Sequence, residues 1–130
     1  MRTFLGLFLI AHGLIHASYV TPVPPDAKDW PFTLARSWLL GGLEGGTLKA
    51  IGIALALVAA AAFAAAGLGL VGVPLLSAAW QALAIVGALA SILLLVLFWH
   101  AWLVLGIVIS AAVLYAIFVA RWPVAVFGAS

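Results

Sequence analysis

Apolar residues run through this chain in long stretches, and charged side chains interrupt them in one region only. The charges are Arg2, Asp26, Lys28, Asp29, Arg36, Glu44, Lys49 and Arg121, and six of these eight lie between positions 26 and 49. Positions 50 to 120 carry none. A helix needs about 20 apolar residues to cross the hydrocarbon core of a bilayer, so this stretch predicts three spans, and a fourth precedes the charged region. The boundaries read as 3–20, 47–66, 75–98 and 103–120, with an interfacial segment over 21–46, all in a single transmembrane domain over 1–130. Gly67, Gly69, Gly72 and Pro74 mark the end of the second span. One helix from Leu75 to Ala120 would be about 69 Å long, more than twice the hydrocarbon thickness. It must turn back, and Trp99-His100-Ala101-Trp102 is the place, because Trp and His sit well at headgroup level. The expected fold class is therefore all-α: a four-transmembrane-helix bundle with a Pro/Gly-rich interfacial segment between helices 1 and 2.

Composition narrows the classes of function. Hydrophobic residues make up 68% of the chain and charged residues 6%, against roughly 45–50% and 25% in soluble domains. So few charges cannot cover the surface of a small water-soluble fold. A soluble enzyme, a nucleic-acid binder and a disordered chain are excluded. The net charge of +2 is too small to imply a nucleic-acid partner. Without cysteine there is no disulfide frame and no thiol redox site.

With four spans, both ends lie on one side and carry Arg2 and Arg121, while the charges of the 21–46 segment nearly cancel. The positive-inside rule then puts both termini in the cytoplasm, with Trp122 beside Arg121 at the interface. The basic start and Ala17 also suit a signal peptide, but Ile15 stands where a small residue is wanted, and His12 and His16 interrupt the apolar stretch.

Thr21, Pro22, Pro24 and Pro25 open a segment that cannot be helical. Pro31 fixes a further turn, after which Thr33 is expected to cap a short helix through Leu40. Trp30, Phe32, Leu34, Trp38, Leu39 and Leu40 are too apolar for a free loop, so the piece is expected to lie in the interface, with Arg36 reaching to headgroups. Gly41, Gly42, Gly45 and Gly46, around Glu44, form a flexible joint or allow close backbone approach. The segment reads as an anchor with a hinge or, functionally, as a lid over the bundle.

Small residues mark helix contacts in lipid. Gly6, Gly13 and Ala17 fall on one arc of the first span. Gly52, Ala56, Ala60 and Ala64 line the second, and Ser77, Gln81, Ala84, Ala88 and Ser91 the third. Gly106, Ser110, Ala112, Ala116 and Ala120 follow in the fourth. Each span thus has a small face for packing and a bulky face for lipid.

His12 and His16 are four apart and share a helix face beside the glycine arc. With His100, in the turn on the same side, three imidazoles are expected to converge near the outer membrane face. Imidazole is a common metal ligand, and Glu44 or Asp29 would supply an oxygen. A haem or a divalent metal ion is the cofactor such a set would suit. Equally, histidines near span ends serve as structural hydrogen-bond donors, and both readings stand. Gln81 is expected to bond to Ser77 or a neighbouring backbone, with a substrate contact as the alternative. Tyr19, Ser91, Ser110 and Tyr115 read as packing and interface residues. No GxSxG, phosphate-binding glycine loop, HExxH or CxxC is present.

In size and span count the chain is similar to the small multidrug-resistance exporters, but the glutamate that family uses in its first span is missing here. The Leu5-Gly6-Leu7 start, Gly13 within the first span and the polar segment before the second resemble the small bacterial inner-membrane proteins called DoxX-like. That resemblance implies a four-helix fold in a bacterial inner membrane and carries no active site over. The expected function is a non-catalytic accessory or scaffold subunit, in contact with the lipid bilayer and self-associating or joined to other membrane subunits. A redox or metal-binding protein using His12, His16 and His100 is the alternative, and a small transporter or channel the third reading.

Overall fold

The computed structural model describes residues 1–121; Trp122 lies outside the described residues. Among the described residues there are five helices: α1 (Arg2–His16), α2 (Gly45–Val71), the single turn α3 (Pro74–Ser77), α4 (Trp80–Leu97) and α5 (Val104–Phe118). Short 3-10 turns, Ala17–Val20 and Ala101–Leu103, extend α1 and precede α5. Among the described residues four stretches are long and apolar enough to cross a membrane: Arg2–Val20, Gly45–Val71, Trp80–Leu97 and Ala101–Phe118. No strand is present among the described residues. The protein is a four-helix membrane bundle.

The helices run up and down in sequence order. A Cβ on Gly6 would stand 2.6 Å from the Gly67 carbonyl oxygen, and one on Gly13 would stand 2.9 Å from that of Ala60. Early α1 thus meets late α2. Phe63 of α2 lies under Gly87 of α4, and Leu95 of α4 against Gly106 of α5. The glycine and alanine faces read from the sequence bring α1 onto α2 at backbone distance, as expected where lipid offers no hydrophobic drive to pack. Both ends of the described chain lie on one side of the bundle. The 21–44 segment and the turn before α5 lie on the other.

Three local expectations are corrected. The second span does not stop at Ala66 but continues to Val71. Gly67 and Gly69 stay helical because neighbours occupy the space of their absent side chains: Ile10 and the Gly6 carbonyl at one, Leu76 and Trp80 at the other. Gly72 ends the helix at φ 117. Its N–H and that of Val73 bond back to Gly69 and Leu68, a Schellman closure.

The third span begins at Trp80 rather than Leu75. The Ser77 hydroxyl lies within bonding distance of the Gly69 and Val73 carbonyls, 3.0 and 2.9 Å away, and holds α3 as a separate turn against the end of α2.

No helix forms over 33–40. Thr33 does accept the Ala35 N–H at 3.3 Å, but the next polar groups are drawn to α4 instead. Ser37 donates to the Leu97 carbonyl at 2.6 Å and the Trp38 indole to that of Val96 at 2.6 Å. These are last-turn carbonyls, which have no partner within their own helix. The segment therefore closes α4, with Leu34 buried against Gly52. Gly42, Gly45 and Gly46 face open space and allow no close approach.

Candidate functional site

Two apolar clusters fill the bundle. One, toward the 21–44 segment, gathers Tyr19, Leu34, Leu48, Ala56, Leu94 and Leu103. The other, toward the chain ends, gathers Leu9, Phe63, Ala66, Leu70, Trp80 and Ala88. Between them in sequence on α1, α4 and α5 lie His12, His16, Ser91 and Ser110, all buried. Polar side chains at this depth are costly unless they are hydrogen-bonded within the protein.

Three helices meet there through one directed chain of hydrogen bonds. His16 Nδ1 lies 3.0 Å from the His12 carbonyl oxygen, which can only accept, so this nitrogen carries the hydrogen. In the neutral ring Nε2 then accepts, and Ser91 Oγ donates to it across 2.7 Å. Ser110 in turn donates to Ser91 at 2.9 Å. The order is Ser110 to Ser91 to His16 to the α1 backbone, and it links α5, α4 and α1.

His12 differs. Its ring is edge-on to Phe63, centroids 4.9 Å apart, and edge-on to His16 at 5.1 Å. Its Nε2 is buried without a hydrogen-bond partner, and so is the hydroxyl of Tyr19, whose ring packs against Phe32.

Both residues line a cleft between α1 and α5. The last span is 11% buried, against 33% to 44% for the other three. Its packing is chiefly on α4, leaving the side toward α1 open. The half nearer the 21–44 segment is a cavity of about 150 Å³ lined by His12, His16, Tyr19, Phe32, Trp102 and Ile109, among others. The other half, of about 240 Å³, is lined by Leu5, Phe8, Trp80, Ile109, Ala112 and Ala116 with further apolar residues. Ile109 borders both, so the two lie end to end along α5.

The remaining sequence candidates lie elsewhere. His100 sits in the turn between α4 and α5. Its Nδ1 accepts the Trp102 N–H at 3.1 Å, so Nε2 carries the hydrogen and donates to Asp29 at 3.1 Å. Among the described residues no three His, Cys, Asp or Glu side chains are placed to hold a metal ion. The expected convergence of His12, His16 and His100 does not form. His100 is engaged with Asp29 outside the helices, and His16 has both ring nitrogens occupied. Of the pair, His12 is the one with a ring nitrogen, Nε2, buried and unpartnered. Glu44 is exposed and precedes α2 without a side-chain cap bond. Arg36 is exposed and lines a wide depression of about 640 Å³ on the segment side, with Lys28, Asp29, Trp38 and His100. Gln81 is half-buried in the first turn of α4, ten residues or about 15 Å along the helix from Ser91.

Ser91, Ser110 and Tyr19 belong to the site although the sequence reads them as packing residues. The available signal was depth: Ser91 and Ser110 are hydroxyls well inside charge-free spans, where polar groups are costly and tend to be used.

Comparison with protein-family models, with curated proteins and with solved structures gave no match.

Proposed function

We propose that this is a non-catalytic accessory membrane protein that works through the open side of its bundle, holding a bilayer-resident partner against α1 and α5. The observation that supports this reading is the cleft itself: the first and last spans stand apart along an apolar channel, while every other adjacent pair of spans packs closely. A lipid-soluble molecule and a membrane subunit, of its own kind or another, both reach that side from the bilayer. In this reading the protein resides in a bacterial inner membrane, as the resemblance to DoxX-like proteins implies. Arg2 and Arg121 then face the cytoplasm under the positive-inside rule. A haem- or metal-binding role has less support, because a chelating pair needs two free imidazole nitrogens and His16 offers none.

A photo-crosslinking residue at Ala112, inside the cleft, tests the reading against one at Val108, which lies outside it. In native membranes the Ala112 position is expected to give an adduct of discrete mass and the Val108 position only heterogeneous bulk lipid. The same heterogeneous lipid at both positions would overturn the reading.

A further inference from the structure

Resting on the open-side reading, we infer that the occupant of the cleft is a small neutral amphiphile. Its compact oxygen-bearing head lies between His12 and Tyr19, and its aliphatic tail lies along α5 toward Ala116.

Three observations fix the head. First, His12 is 5% exposed and Tyr19 6%, and each has a polar atom, Nε2 and the phenolic hydroxyl, with no partner. Both residues line the polar half of the cleft with these atoms just behind its wall. An unpaired buried polar group is costly, and a ligand that draws either side chain round into the cavity and hydrogen-bonds it removes that cost. Second, no charged side chain lines either half of the cleft among the described residues. A carboxylate or phosphate head would be buried without a counter-charge, so the head is neutral. Third, the polar half has a volume of about 150 Å³, about the size of a cavity that takes up a benzene ring. Aromatic rings of Tyr19, Phe32 and Trp102 surround it. A single ring bearing a hydroxyl or carbonyl oxygen fits. The apolar half then continues past Ile109 as the place for a tail.

The hydrogen-bond chain through Ser91 and Ser110 supports the same site. By engaging both nitrogens of His16, it holds that ring as a wall and leaves His12 as the residue that meets the ligand.

The test uses the full chain in a non-ionic detergent and native mass spectrometry with 4-decylphenol, decylbenzene and decanoate. One molecule of 4-decylphenol is expected per chain, bound at least about tenfold more tightly than decylbenzene, since one good hydrogen bond of about 1.4 kcal/mol gives about tenfold and the second adds to it. Decanoate is expected to bind no better than decylbenzene. His12→Phe and Tyr19→Phe each lower the preference for the phenol over decylbenzene. His12→Phe leaves the thermal stability of the empty protein unchanged or raised, because it removes an unpaired buried nitrogen. Equal binding of all three compounds, or an unchanged preference in both variants, would overturn the inference. A loss of stability in His12→Phe without a change in preference would also overturn it and make His12 a structural residue. Should crosslinking at Ala112 capture a polypeptide, the open-side reading stands and this inference fails.

Discussion

His16 of the first span and Ser91 of the third are joined across 2.7 Å, Nε2 to Oγ, in the interior of a bundle that spans a membrane. Ser91→Ala leaves a buried imidazole nitrogen without a partner, and Ser110→Ala removes only the outer link of the same chain. The first is expected to cost about 1–2 kcal/mol and the second about 0.5 kcal/mol, since interhelical bonds in bilayers are individually modest. Unfolding of the two variants in detergent by titration with dodecyl sulfate gives the comparison. A larger loss in Ser110→Ala would contradict the direction of the chain.

The close approach of α1 and α2 yields a second prediction. A Cβ on Gly6 would stand 2.6 Å from the Gly67 carbonyl oxygen and 2.8 Å from Val71 Cγ2. The first of these is backbone and cannot swing aside. Gly6→Ala is expected to destabilise the bundle by about 1–3 kcal/mol through overpacking. Gly46→Ala has the opposite sign. That glycine is inside α2 with nothing within 4 Å, and alanine there is expected to gain up to about 1 kcal/mol in helix propensity. The same unfolding titration reads both.

Four spans were legible because charge is absent from 50 to 120 and polar residues are expensive in lipid. The α1–α2 contact was legible in outline from Gly6 and Gly13, since small residues are what lipid-phase packing uses. The break at Ser77 was not, because it depends on a hydroxyl reaching Gly69 and Val73 on earlier turns. The helix expected at 33–40 failed for a related reason. Local capping by Thr33 is outweighed by tertiary bonds from Ser37 and Trp38 to α4, and sequence spacing carries no sign of those. At the site, the His12–His16 spacing pointed to a shared face, but which nitrogen is left free depends on Ser91, 75 residues away from His16.

Ser37 and Trp38 act as a cap supplied from outside the helix. Their bonds to the Leu97 and Val96 carbonyls, each 2.6 Å, satisfy acceptors that α4 cannot satisfy itself. Ser37→Ala and Trp38→Phe are expected to loosen the 21–44 segment from the bundle while leaving the four spans intact. Hydrogen exchange should rise in both variants at the Leu40 amide region and at the last turn of α4, and stay unchanged in the middle of α2. A uniform rise over all helices would instead make the segment part of the global folding unit.

His100 joins two functions that substitution can separate. Its Nδ1 receives the Trp102 N–H, and its Nε2 reaches Asp29, whose side chain is 81% exposed. An ion pair or hydrogen bond so open to solvent contributes well under about 1 kcal/mol. Asp29→Ala is therefore expected to leave exchange at the Trp102 amide unchanged and to free only the region around residue 29. His100→Ala removes both bonds, so protection of the Trp102 amide falls as well. His100→Asn restores the turn through a short side-chain acceptor two residues before the amide, as asparagine does in turns, but it does not reach Asp29. Exchange at Trp102 should then return toward the parent while the Asp29 region remains free. Loss of Trp102 protection in Asp29→Ala would show instead that the carboxylate holds the turn, with the imidazole only relaying it.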